Sequence, residues 1–219
     1  MTEPRNQSLA APSPADPLAG LRRFTRAQAP VIERCELCGL ALGPEHPHLL
    51  ERQSRRIACA CTACALLFYG PGSGRYLRIP EHILHLTDFS FTDMEWEEMA
   101  LPIGLAFFVS DPEGRPIALY PGPAGVVESL IPIPAWSGRV AAHPALSSLQ
   151  PEVEALLVNR IGTEHSYFLV PIDECFRLAG IIRRHWRGLS GGPEVWGAVA
   201  VFFAELDQKA SAKQWVRRA

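Results

Sequence analysis

No apolar run in the sequence approaches the roughly 20 residues that cross a bilayer; Val195 to Ala204 is among the longest. Nor is there an excess of one charge. The 21 Lys and Arg against 23 Asp and Glu leave about −2 at pH 7, so nothing draws the whole chain to nucleic acid or anionic lipid. A Ser-His-Asp arrangement, a dinucleotide fingerprint and a paired-carboxylate motif are all missing. Gly70 to Gly74 lacks the Lys-Ser/Thr of a phosphate loop and reads as a turn. Met1 to Asp16 is polar and proline-rich, without the basic, apolar and small-residue order of a secretory signal. That places the chain in the cytoplasm, where thiols stay reduced.

What is present is a soluble globular composition, 47% apolar and 20% charged over 219 residues. This length suffices for one core, or for a small module with a medium domain. Five of the six cysteines fall between residues 35 and 64. Cys35-Glu36-Leu37-Cys38-Gly39 has the form of a metal knuckle, its glycine letting the backbone turn so that amides point at sulfur. Cys61-Thr62-Ala63-Cys64 repeats the spacing, and the 22 residues between Cys38 and Cys61 accommodate a hairpin. Four thiolates about 2.3 Å from a tetrahedral ion are what zinc or iron requires. Cys35, Cys38, Cys61 and Cys64 are therefore the expected ligands. Zinc is the expected metal and iron the alternative, since spacing does not separate a structural ion from a redox centre or a cluster.

Three other residues compete for the site. Cys59 lies on the strand leading to the second pair and reads as a small apolar packing residue. His46 and His48 stand between the pairs, each able to replace one sulfur. Cys175 falls on the apolar stripe of a helix and reads as core.

Along the chain, residues 1–30 read as a mostly disordered segment and 31–79 as the cysteine module. Residues 80–210 read as an α+β domain and 211–219 as a tail. In the module, His48 to Glu51 and Arg56 to Cys59 are strands joined by the turn Arg52 to Arg55, and the apolar run Leu66 to Tyr69 with Arg75 to Ile79 reads as a further hairpin. The domain carries strands at Leu101 to Ser110, Ile117 to Tyr120 and Val126 to Ile133, with a short helix at 135–142. Glu154 to Ile161 and Tyr167 to Ile172 read as two more strands, with a helix and a strand as the alternative. Cys175, Leu178, Ala179, Ile182 and Trp186 mark one face of a helix from Asp173, the expected cap, to Arg187. Pro193 to Lys209 is the second helix. The fold class is thus α+β: a small zinc-ribbon or rubredoxin-like module with four cysteine ligands, then a mostly antiparallel sheet covered by two C-terminal helices. Asp93 to Glu98 reads as an exposed acidic run, and Arg177 with Arg183 to Arg187 as a solvated positive face or a dock for an acidic partner.

These motifs together resemble an uncharacterised bacterial family of unknown function, over about residues 21 to 208. The resemblance rests on both cysteine pairs, on Glu45 to Leu50, on Gly104 to Phe108, on Leu119 to Gly125, on Val170 to Asp173 and on His185 to Gly188. Members are often encoded beside the structural and maturation genes of high-affinity NiFe-hydrogenases. The resemblance implies a hydrogenase-associated accessory role, with a hydrogenase subunit or maturation factor as partner. The closed four-cysteine spacing and the lack of a catalytic constellation make a non-enzymatic role the expectation. Because such operons also carry small rubredoxin-like proteins, an iron protein in electron transfer or redox sensing is the alternative.

Overall fold

Leu105 to Val109 is an unbroken apolar run, which suits a strand buried on both faces rather than one with a wet side. The computed structural model, which describes residues 32–69, 74–129, 136, 138 and 143–216 with side chains through 210, places this run at the middle of a six-stranded sheet. The strands are β4 (Leu84–His85), β5 (Leu105–Ser110), β6 (Pro116–Gly122), β7 (Gly125–Glu128), β8 (Glu154–Asn159) and β9 (Ser166–Pro171). Their spatial order is β4-β9-β8-β5-β6-β7, every pairing antiparallel.

Alternation along the strands divides the core. Leu105, Phe107 and Val109, with Leu157, Phe168 and Val170, face two helices, α4 (Ile172–His185) and α5 (Pro193–Val216). Ala106 and Phe108, with Leu156, Val158 and Leu169, face a second layer that includes Phe89, Phe91, Trp136 and Leu146. That second layer carries α2 (Asp93–Glu98) and α3 (Pro144–Ser147). The sheet is therefore covered on both faces, whereas the helical pattern alone predicts one covered face. The helix expected at 135–142 lies almost wholly outside the described residues, as do residues 1–30 and most of the Gly70–Gly74 turn.

The acidic run is not a plain solvated segment. Thr92 and Glu95 form a reciprocal capping box that starts α2, and Asp93 pairs with the guanidinium of Arg160. On the opposite layer, Arg177 bonds Glu174 (2.6 Å) and Glu205 (2.9 Å), and Lys209 reaches Glu174 at 2.7 Å. Arg177 thus ties α4 to α5 rather than projecting as part of a free positive patch. α5 continues past Lys209 to Val216. Among the described residues no helix is long and apolar enough to cross a membrane.

A second, three-stranded sheet comprises β1 (His48–Glu51), β2 (Arg56–Cys59) and β3 (Tyr76–Arg78) in the order β2-β1-β3. β3 pairs with β1, not with the apolar run before it, which is helical: α1 spans Thr62–Phe68. β1 has two interior faces. Leu50 joins the core under α4 and α5, while Leu49 is buried against the cysteines.

Two tests of this architecture follow from local geometry. A Cβ at Gly104 would stand 2.8 Å from the Arg160 carbonyl oxygen, on the edge where the Arg160 amide donates to the Gly104 carbonyl at 2.6 Å. Gly104→Ala is expected to cost about 1–3 kcal/mol by overpacking, read as a lower urea midpoint. Asp111, at the β5–β6 turn, accepts from the amides of Glu113 (3.0 Å) and Arg115 (2.8 Å) and from Arg115 Nε (2.6 Å). Burial pushes its carboxyl up, but the Arg115 amide and guanidinium outweigh burial and hold it below the ordinary 3.8. A carboxyl depressed by folding stabilises the fold above its unfolded value and loses that contribution as pH falls through the folded one. The gap in urea midpoint between wild type and Asp111→Asn should therefore be full near pH 6 and close below about pH 4.

Candidate metal centre

The first cysteine pair sits in a tight turn held by its own backbone. Gly39 donates to the Cys35 carbonyl at 2.7 Å, Cys35 donates to the Leu40 carbonyl at 2.8 Å, and Gly39 takes φ +78°, a conformation that favours glycine. Glu36 fastens this turn to β2. Its amide donates to the Cys59 carbonyl (2.9 Å), and its carboxylate accepts from the Cys59 amide (3.0 Å) and the Arg56 guanidinium. Burial raises the Glu36 carboxyl, but those two partners overcome it and keep it ionised below its usual range.

The second pair is held differently. Cys61 is the N-cap of α1, its Sγ accepting from the Cys64 amide at 3.4 Å, and Cys64 lies in the first turn. A knuckle and a helix whose start supplies the last two sulfurs are thus joined through the β1–β2 hairpin. Leu49, Ala60 and Ala65 pack around the cysteines, with Leu37, Leu42 and Tyr76 outside them.

The four sulfurs of Cys35, Cys38, Cys61 and Cys64 all lie within 4.8 Å of one another. Cys38 Sγ and Cys61 Sγ are 3.7 Å apart. A tetrahedral ion with ligands at about 2.3 Å separates its sulfurs by about 3.8 Å, so the donor set fits. All six cysteines are thiols without a disulfide; Cys35, Cys61 and Cys64 are buried and Cys38 is exposed. Burial raises the Cys35 thiol, yet amide hydrogen bonds, led by that of Cys61, bring it down to about 6. Burial, and then the neighbouring sulfurs, push Cys64 up to about 12. One thiolate forms readily and the next is resisted, because negative charge accumulates in a small buried volume. A cation at the centre removes that resistance. The cluster can hold a metal ion.

Residues 34–210 match a family described as a family of unknown function, DUF5947. The chain belongs to this family. Both cysteine pairs and the whole six-stranded sheet lie inside the matched span. No curated protein and no solved structure matches the chain.

Cys59, His46 and His48 do not enter the four-sulfur set. They form a cluster of their own, their ligand atoms also within 4.8 Å of one another. Cys59 is only partly buried there, rather than packed away as a small apolar residue. Asp173, expected to cap α4, instead accepts from His48 Nδ1 at 2.6 Å; the helix starts from Pro171 without a side-chain cap. Cys175 is fully buried in the core of α4, and burial pushes its thiol well up, which suits packing and not nucleophilic chemistry. The remaining histidine–carboxylate pairs, His82–Glu154, His85–Asp207 and His143–Asp88, are separate contacts on different elements.

Proposed function

We propose that this chain is a metal-binding accessory protein in which Cys35, Cys38, Cys61 and Cys64 hold a structural zinc ion. The observation that carries the reading is the four sulfurs at tetrahedral spacing, drawn from a knuckle and a helix start that a hairpin separates. Four protein ligands close a zinc ion and leave no position for water, so the site braces residues 31–79 instead of catalysing hydrolysis. Residues 80–210 supply the larger body in this reading. Docking on another protein finds support in α1, which presents Leu66 (60% exposed) and Leu67 (77%) to solvent, followed by half-exposed Tyr69. The resemblance to hydrogenase-associated proteins makes the partner a NiFe-hydrogenase subunit or a maturation intermediate in the cytoplasm.

Elemental analysis and a visible spectrum of protein purified without added metal test the metal. Colourless protein with at least one zinc per chain is the expected result. Affinity isolation from the native host tests the partner, and recovery without any hydrogenase component would remove that part of the proposal. One observation favours a second reading: Cys38 is exposed, and a ligand at the surface suits electron transfer from a rubredoxin-like iron. Red protein with a reversible one-electron couple would replace zinc by that reading.

A further inference from the structure

In the β1–β2 ladder Cys59 stands directly opposite His48, so their side chains leave the sheet on one face. His46, two residues before His48, shares that face by the period of extended backbone. The two imidazoles meet edge to face, ring centroids 4.9 Å apart. One nitrogen of each ring and Cys59 Sγ lie within 4.8 Å of one another.

The hydrogen bonds made by the Nδ1 atoms fix the tautomer of each ring. His48 Nδ1 is 2.6 Å from Asp173 Oδ2, and His46 Nδ1 is 2.9 Å from the Gly43 carbonyl oxygen. A carboxylate and a carbonyl only accept, so both Nδ1 atoms carry the proton, and in the neutral rings both Nε2 atoms carry the lone pair. An outer carboxylate or carbonyl that fixes tautomer and ring plane is the usual support of a metal-bound histidine. Asp173 is itself steadied by the Glu174 amide at 2.9 Å.

We infer that His46, His48 and Cys59 form a second metal site, separate from the four-sulfur cluster, for a divalent first-row ion such as zinc or cobalt. Two neutral imidazoles and one thiolate leave the ion with one positive charge, which the Asp173 carboxylate beyond His48 balances. Three protein ligands leave a fourth position open. Both histidines line a groove of about 650 Å³ whose walls include Thr62, Glu81, Asp173 and Lys209. A water or a small anionic ligand entering by this groove would complete the coordination. The two sites differ in kind: one closed and all sulfur, one mixed and open.

The test uses the full chain, stripped of metal under reducing conditions, given one equivalent of zinc and then titrated with cobalt. The expected result is one further equivalent bound, a total of two per chain. Two strongly shifted, exchangeable imidazole N–H resonances should appear, one from each Nδ1–H. Asp173→Asn, a change at a positioning residue, should weaken the second equivalent 10- to 100-fold and leave the first unchanged. His48→Gln should abolish the second equivalent and its own N–H resonance, again with the first retained, which reports an intact fold. Saturation at one metal per chain without shifted imidazole protons would overturn the inference. So would a second equivalent that survives His48→Gln. Failure of the four-sulfur reading looks different: the imidazole resonances would appear while no cobalt–thiolate charge-transfer band of a four-sulfur site forms in chain loaded with cobalt alone.

Discussion

Replacing Cys61 with serine is expected to lower the retained zinc by close to one equivalent per chain, the share of the four-sulfur cluster. Cys61 does three things at once. It supplies a sulfur 3.7 Å from that of Cys38, caps α1 through the Cys64 amide, and accepts the Ala65 amide on its carbonyl at 2.8 Å. A serine oxygen preserves a cap but not a soft ligand. Binding at structural zinc sites contributes on the order of 10 kcal/mol at neutral pH, and most of that is folding free energy. The loss should be local, because Leu50 and Ile79 remain anchored in the core beneath α4 and α5. Limited proteolysis should cut between residues 34 and 79 while the larger sheet keeps its cooperative transition. Cys175→Ala is the control: a modest loss of stability with the zinc content unchanged. Full zinc retention by Cys61→Ser would show that the four-sulfur cluster does not hold zinc.

The second large effect is expected at Phe107. This side chain is wholly buried at the centre of β5, opposite Leu119 on β6 and Leu157 on β8, with the Phe176 ring 6.5 Å away. Truncation to alanine removes a large apolar surface and leaves a cavity that neighbouring strands cannot close, costing about 3–5 kcal/mol. Against a net stability of roughly 5–15 kcal/mol, that is a large fraction. The urea midpoint should fall steeply with little change in slope, and zinc content should match that of the wild type in protein that is still folded. A shift of less than about 1 kcal/mol would contradict the placement of β5 at the centre of the core.

The four sulfurs were legible because the knuckle advertises itself in five consecutive residues and repeats its spacing. β8 and β9 were legible because Leu156-Leu157-Val158 and Phe168-Leu169-Val170 are short β-rich runs of the kind that central strands use. α1 was not. Leu66-Leu67-Phe68-Tyr69 looks like a strand, and seven residues are too few for helical periodicity to show. α2 does carry a signal: Thr92 and Glu95 spell a capping box, masked by the run of charge around them. The His46, His48 and Cys59 cluster had no comparable signal. Its assembly depends on a ladder register, His48 against Cys59, and on Asp173, 125 residues away from His48. Neither is written in local spacing.

β1 carries adjacent leucines that belong to different interiors, Leu49 to the cysteines and Leu50 to the large core. Side chains alternate faces, so a slip of one residue in its pairing would send each leucine to the wrong side. The same slip would move His48 away from Cys59 and would carry Cys61 out of line with the knuckle. Only the correct register gathers four sulfurs. On the zinc reading of the cluster, metal capture during folding would act as proofreading, locking in chains whose β1 has paired correctly and leaving the misaligned ones open to re-pair.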